Sequence, residues 1–503
     1  MNNFNRTALN KTAVIFLALQ SPLSFAAGDS IEIDERSEIT EFDRSVFKAD
    51  PAYPEKNYSY EEQLKIYGGK SENENPRPLL ELGHRIYDVG EINPSSTWLG
   101  EKNPVNQDFV IYGDYRIAYG FNDIDDDNQQ QVAATTLNLE LDWRFTGTER
   151  IHGKLTPLEE RNRFTRVTRF EDESFDEEEF ESDFRFDSLF FEGDLGYLVT
   201  GATGEYQSWD LPFAFGLMPL LFQNGVWLDD AFTGLAVTLP AENSRALDIS
   251  NFDITFFAGV DKVTTGIAGL EEDDASVFGV NAFLDANQGY WEVGYGFMDD
   301  QSDADVHDYH NLTVAFTRRY FGWLSNSVRV VGNFGQDDDA GETADGVALL
   351  LENSFVTSLP STYVPYANFF MGVGNPQSLA RGNGAGGILK NTGLICEGDA
   401  LTNFQSVNAN VNDVFGGAIG VEYLFSLDQQ IVVELGATIR KDSDATDTIN
   451  TGNQYGLGLR YQRPFTKAWL GRFDFIAAIK ENDADSDLDQ NIISAKFEIK
   501  RKF

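Results

Sequence analysis

Four scarcities narrow what this chain can do. It has a single cysteine, Cys396, so it forms no intramolecular disulfide, no cysteine-based zinc site and no haem-attachment motif. It has four histidines, His84, His152, His307 and His310. Neither a Gly-x-Ser-x-Gly nor a His-Glu-x-x-His pattern is present, so these hydrolase signatures are missing. Positive charge is scarce: 38 Lys and Arg stand against 81 Asp and Glu, a net charge of −43. That balance argues against nucleic acid as a partner. Finally, no uninterrupted apolar run reaches the roughly 20 residues that a membrane-spanning helix needs.

The N-terminus reads as a secretory signal over residues 1–26. Arg6 and Lys11 supply the positive region, Thr12 to Leu19 the short apolar run, and Ser24-Phe25-Ala26 a small-x-small cleavage site. No cysteine lies near that site, so no lipoprotein signal is seen. An exported chain with 42% hydrophobic and 13% aromatic residues is too apolar to be disordered. It is either a soluble exported protein or an outer-membrane barrel.

Strand periodicity is plain. In the last segment Ile493, Ala495, Phe497, Ile499 alternate with Ser494, Lys496, Glu498 and Lys500. Successive side chains of a strand point to opposite faces, so one face is apolar and the other polar. Leu137 to Phe145, Trp291 to Phe297, Ile431 to Ile439 and Trp469 to Ile479 repeat the pattern. Connections alternate between short turns, such as Asn287-Gln288-Gly289 and Pro464-Phe465-Thr466, and acidic loops, such as Asp299 to Asp308, Asp442 to Asp447 and Glu481 to Asp489. The longest acidic stretch, Leu158 to Phe186, is read as one more loop. Short turns at one end and long loops at the other mark a transmembrane barrel; a soluble sandwich gives no reason for the difference.

The expected fold is therefore all-β: a transmembrane antiparallel barrel of about 18 strands (16 being the alternative) over residues 108–503. Residues 27–107 form a short periplasmic extension or lumen cap. The fourth strand is placed at 187–201. Leu79 to Gly90 has strand character but would make the count odd, so it is left outside. The Gly/Asn-rich stretch Asn375 to Asp413 is either a mobile surface loop or a constriction folded into the pore.

On this register Arg116, Arg144, Arg150, Arg319, Arg329, Arg440, Arg460 and Arg472 point into the lumen, with Lys154, Lys496 and Lys500. Most share one wall once the barrel closes, and Glu192, Asp194, Asp253, Asp261 and Glu292 lie across from it. Opposed charges would set up a field that orients polar solutes. The competing reading is local neutralisation of each arginine by carboxylates such as Asp114, Glu140, Asp142, Glu434, Asp474 and Glu498. The acidic loops give a solvated face, bridge lipopolysaccharide through calcium or magnesium, or attract cations. Asp483-Ala484-Asp485-Ser486-Asp487 lacks the glycine and glutamate of an EF-hand.

A terminal amphipathic strand ending at Phe503 resembles the C-terminal signature of bacterial outer-membrane proteins, which implies recognition by the barrel-assembly machinery. The segment Gly216 to Leu235 (GLMPLLFQNGVWLDDAFTGL), with the strand count, resembles the alginate-export and related porin-like barrels. That resemblance implies a porin architecture and an arginine-rich lumen; the interleaved carboxylates depart from it. The expected function is an outer-membrane channel for small hydrophilic or anionic solutes, with polysaccharide export as an extension. The alternatives are a scaffold or sheath for a partner complex, or an outer-membrane enzyme.

Overall fold

The computed structural model describes residues 76–83, 96–97, 100–101, 107–124, 129–170, 177–265, 272–302, 306–337, 343–425, 429–441, 451–483, 485 and 488–503. Eighteen strands close into one antiparallel barrel. They are β1 (Asp108–Ile124), β2 (Gln129–Arg144), β3 (Arg150–Leu155), β4 (Phe186–Asp194), β5 (Pro212–Phe222), β6 (Leu228–Ser244), β7 (Ile249–Asp261), β8 (Ala275–Ala286) and β9 (Gly289–Asp300). They continue with β10 (Tyr309–Tyr320), β11 (Leu324–Phe334), β12 (Gly346–Phe355), β13 (Tyr363–Gly374), β14 (Val414–Phe425), β15 (Gln429–Arg440), β16 (Gln454–Pro464), β17 (Trp469–Lys480) and β18 (Gln490–Lys502). Each strand pairs with the next, and β18 pairs with β1 from Ile492↔Ile124 to Lys502↔Asp114.

The register puts Ile117, Leu235, Phe256, Leu312, Ile419, Leu435 and Phe497 on the outer surface, where they are exposed. Their neighbours in sequence face inward and are largely buried or polar. An apolar outside on a closed sheet leaves no unpaired edge and no unsatisfied backbone toward lipid, which is the strand solution to crossing a bilayer. Both chain ends of the barrel and most short connections lie at one end, the turn end, together with the longer β4–β5 connection, 195–211; most long connections lie at the other, the loop end, where only β1–β2 and β5–β6 are joined briefly. The tightest turn, β8 to β9, has Asn287 and Gln288 at φ 59° and 61°, the left-handed pair that a two-residue hairpin needs.

Two expectations need correction. The fourth strand stops at Asp194, and Leu195–Thr203 is a helix, α1. The reason is local: the Asp194 carboxylate accepts from the Tyr197 N–H at 2.9 Å, and Gly204 at φ 73° ends the helix. Leu158 to Phe186 is not simply a loop. Arg163–Phe170 pairs with the loop-end half of β2, and Glu177–Glu179 pairs with Arg163–Phe170. These segments extend the hairpin of β3 and β4 beyond a break at 156–162. The alternation of Phe164, Arg166, Thr168 against Thr165, Val167 was the signal, outweighed by charge content. Leu80–Gly83, within the segment of strand character left outside the barrel, is indeed a strand outside the eighteen and pairs with Asp108–Ile111 of β1 at the seam. The signal segment and nearly all of residues 27–107 lie outside the described residues.

Candidate functional site

The lumen is not an open bore. The connection between β13 and β14, residues 375–413, folds inside the barrel, which decides between the two readings of that stretch. Leu379, Leu389, Ile395, Cys396, Val407 and Val411 are all at most 3% exposed. A second, shorter insertion joins it: the tip of the β5–β6 hairpin, Gln223 to Trp227, also turns inward, and Trp227 is fully buried.

The two insertions fasten to each other and to the inner faces of β9–β11. The Leu379 N–H donates to the Trp227 carbonyl (2.8 Å), and Ser378 Oγ donates to the Val226 carbonyl (2.7 Å). Trp227 Nε1 donates to Asn311 Oδ1 (2.9 Å), Tyr309 Oη to the Leu379 carbonyl (2.9 Å), and the Gln377 N–H to Asn333 Oδ1 (2.8 Å). Close approach is possible because β9 presents glycine there. A methyl group at Gly296 would collide with Leu379, and one at Gly294 would meet the Trp227 ring at 2.7 Å. Met218, Phe232, Phe257, Met298 and Tyr309 complete a dry core around these residues.

The opposite wall meets the loop through ions. Arg460 on β16 donates to Glu397 (2.6 Å) and Asp474 (2.7 Å). Arg472 on β17 bridges the same two carboxylates at 3.7 and 2.7 Å. Lys496 on β18 reaches Asp399 (2.6 Å) and Asp474 (3.4 Å). Burial alone would raise the Asp399 carboxyl, but Lys496, the Leu401 N–H and Arg472 hold it below the usual carboxylate range. Farther round, Arg166 Nη1 donates to Asn403 Oδ1 (2.7 Å) and the Ala400 carbonyl (3.2 Å). Cys396 is sealed under this part of the loop, and burial pushes its thiol well above the ordinary range.

Space remains on this side. A cavity of about 1070 Å³ runs between the loop and β1, β2, β17 and β18, from Asn482 and Leu488 at the loop end to Arg116 and Asn138. Asn138 also lines a second cavity of about 680 Å³ at the turn end, walled by Asp114, Glu140, Asp142 and Arg144. Arg116, Lys390, Arg472, Lys480 and Lys496 line the first cavity together with Glu159, Glu397, Asp399, Glu481 and Glu498.

The arginines expected in the lumen all point inward, but they do not form one site. Arg116 and Arg472 line the first cavity. Arg460 lies just beneath the loop, in a side cavity of about 380 Å³. Arg144 stands in the turn-end vestibule, paired with Asp108 at 2.8 Å. Arg150 nearby pairs with Asp142 and Glu192, so Glu192 is not an opposing wall. Arg440 is at the loop end against Asp483 (3.4 Å). Arg329, on the sealed side, is buried and bonded to Glu352 (2.9 Å), and Arg319 contacts Ser325 (3.3 Å). Phe503 sits at the seam, exchanging backbone hydrogen bonds with Gly113 at 2.9 and 3.0 Å. Sequence reasoning missed Trp227, Glu397, Asp399 and Arg166. The first three are on connections, where strand periodicity says nothing; the fourth alternates as a strand residue should.

His84 lies outside the described residues. His152 meets Glu140 (3.0 Å), His307 meets Asp300 (2.9 Å) and His310 meets the Tyr295 hydroxyl (2.9 Å). Among the described residues no group of three or more His, Cys, Asp or Glu is arranged to hold a metal. Ala484, Ser486, Asp487 and 442–447 lie outside them.

No family model matches the chain, and no curated protein does. Among solved structures it is similar to OpdL of Pseudomonas aeruginosa, with a TM-score of 0.49 and 12% identity over 78% of this chain and 98% of that one. OccK5 (OpdH) of the same organism gives 0.48 and 11%, over 78% and 98%. The outer membrane protein OpdK, also from that organism, gives 0.48 and 11% over the same shares. These comparisons do not show the alginate-export group. In this fold the Gly216 to Leu235 segment is a hairpin whose tip plugs the lumen. The closed barrel, its apolar belt and its polar lumen place the protein in an outer membrane.

Proposed function

We propose that the protein is a channel for passive diffusion of small hydrophilic solutes, with its selectivity set where residues 390–410 face β1, β2, β17 and β18. One observation carries this reading: the inserted loop packs an apolar core against β9–β11 yet leaves a charged cavity of about 1070 Å³ along β1, β2, β17 and β18. Five cationic and five anionic side chains line the passage, so it favours neither sign through net charge. It carries a field across its width instead, from Arg472 and Lys496 on the wall to Glu397 and Asp399 on the loop. Such a field orients dipolar and zwitterionic solutes in a constricted, low-dielectric space. A polymer would need the volume that the loop occupies, so the reading is for small solutes and not for polysaccharide export. In assembly, the Phe503–Gly113 pairing supports Phe503 as the residue that closes the seam.

The test is single-channel recording in a planar bilayer under a salt gradient. Discrete openings with a reversal potential near zero are expected. A barrel that inserts and folds but passes no ions would overturn the reading.

A further inference from the structure

The outer surface carries one patch that departs from its surroundings. At the turn end of β16–β18 three cations stand together on the outside: Arg463 at the end of β16, Lys467 in the turn, and Arg501 near the end of β18. All three are exposed. The register sets Arg463 beside Gly471 and Arg501 beside Trp469, so the two guanidinium groups flank one strand, β17. Among the described residues none of the three forms an ion pair. On the inner face of the same strands four cations are compensated: Arg460, Arg472 and Lys496 through Asp474, and Lys500 through Asp114. The Arg501 guanidinium lies over the Trp469 ring, 5.5 Å from its centroid. Above Trp469, Phe473 and Phe497 continue the exposed apolar surface toward the barrel's middle.

At the edge of an apolar belt, arginine lays its stem along the hydrocarbon and its head at headgroup depth. A cation in that half-dry layer is stabilised by a fixed anion, and the anion always present there is lipid phosphate. The phosphate of a zwitterionic lipid is already compensated by its own amine; that of an anionic phospholipid is not. The acidic loops cannot cancel the patch, because they lie at the opposite end of the barrel, many screening lengths of about 8 Å away. Guanidinium groups bind phosphate oxygens in a planar, two-pronged manner, which fixes orientation as well as charge.

We propose that Arg463, Lys467 and Arg501 form a binding site for the phosphate of an anionic phospholipid in the leaflet at the turn end, with Trp469 and Phe473 packing against its acyl chains. This inference needs only that the barrel spans a bilayer; it does not depend on conduction.

The test is native mass spectrometry of the full folded chain in detergent, with phosphatidylglycerol or phosphatidylcholine added at equal concentration. The wild type should retain phosphatidylglycerol preferentially. R463Q/K467Q/R501Q should lower that retention on the order of tenfold, to the phosphatidylcholine level, while R463K/R501K, which keeps the charge without the two-pronged geometry, falls between. Heat-modifiable migration on gels checks that each variant is folded. Unchanged retention in the triple variant overturns the site. Displacement of the lipid by millimolar inorganic phosphate also overturns it, since that would reveal a bare anion site. If the triple variant does not fold, R501Q alone decides by the same comparison.

Discussion

The same inserted loop is held to the two halves of the lumen wall by different forces. On the β8–β13 side, Leu379 and Trp227 are buried against glycine-lined strands, with their polar contacts inside an apolar core. On the side of β15–β18 and β1, Glu397 and Asp399 meet arginine and lysine beside a cavity of about 1070 Å³. Truncating a buried tryptophan costs about 3–5 kcal/mol; a partly hydrated ion pair contributes roughly 0–1 kcal/mol. The apolar side therefore anchors the loop, and on the proposed reading the ionic side shapes what passes. A lumen can be plugged and conducting at once if its two halves obey these two regimes.

The comparison breaks most visibly if the loop is removed. Replacing residues 377–411 by a short turn should raise single-channel conductance several-fold; an unchanged conductance would mean that the loop is not the constriction. Next in size is Trp227→Ala. It should destabilise the barrel by about 3–5 kcal/mol in denaturant unfolding and increase current noise as the anchor loosens. A silent Trp227→Ala would show that the sealed half is not what holds the loop.

The ionic half should respond in selectivity. R460Q/R472Q/K496Q leaves Asp474, Glu397 and Asp399 without their cations, so the reversal potential should shift toward cations and stay shifted at high salt. E397Q/D399N should shift it toward anions. No shift in either variant would place the permeation path elsewhere.

Acidification gives a smaller effect. Because Asp399 has its carboxyl held below the usual range, its attachment contributes fully above the ordinary carboxylate pKa of about 4 and is lost as pH falls through its own lower value. Conductance should thus be steady from neutral pH to about 4 and become unsteady below it, and Asp399→Asn should be unsteady throughout. The smallest change is expected from D483N/D485N at the loop end, where water screens charge over about 8 Å at physiological ionic strength. Its effect on selectivity should vanish in molar salt.

How far the sequence reaches differs between these regions. Strands of the ionic half, such as β15–β18, are legible to within a residue or two because each alternates apolar and polar over a full membrane crossing. β4 is not, since LFFEGDLGYLVTG stays apolar past Asp194 and only the capping geometry separates strand from helix. Where the charged residues sit was readable as a face, but their neutralisation was not. Arg460 is compensated by Glu397, sixty-three positions away and on another element. The sealed half left a trace that charge-centred reading passed over: glycines at inward positions such as Gly294 and Gly296, where a lumen-facing strand has no need of them. They are the imprint of whatever packs there.

By itself, then, the sequence determined the barrel, its lipid face and the end that carries the acidic loops, and narrowed the strand number to 18 or 16. Each of these follows from a period of two read locally along one strand after another. Only the tertiary structure decided that residues 375–413 and the Gln223 to Trp227 tip fill the lumen. It also decided which cations face water and which face a carboxylate. Those facts depend on contacts between strands and connections far apart in the chain, and loop residues carry no periodicity that would announce where they pack.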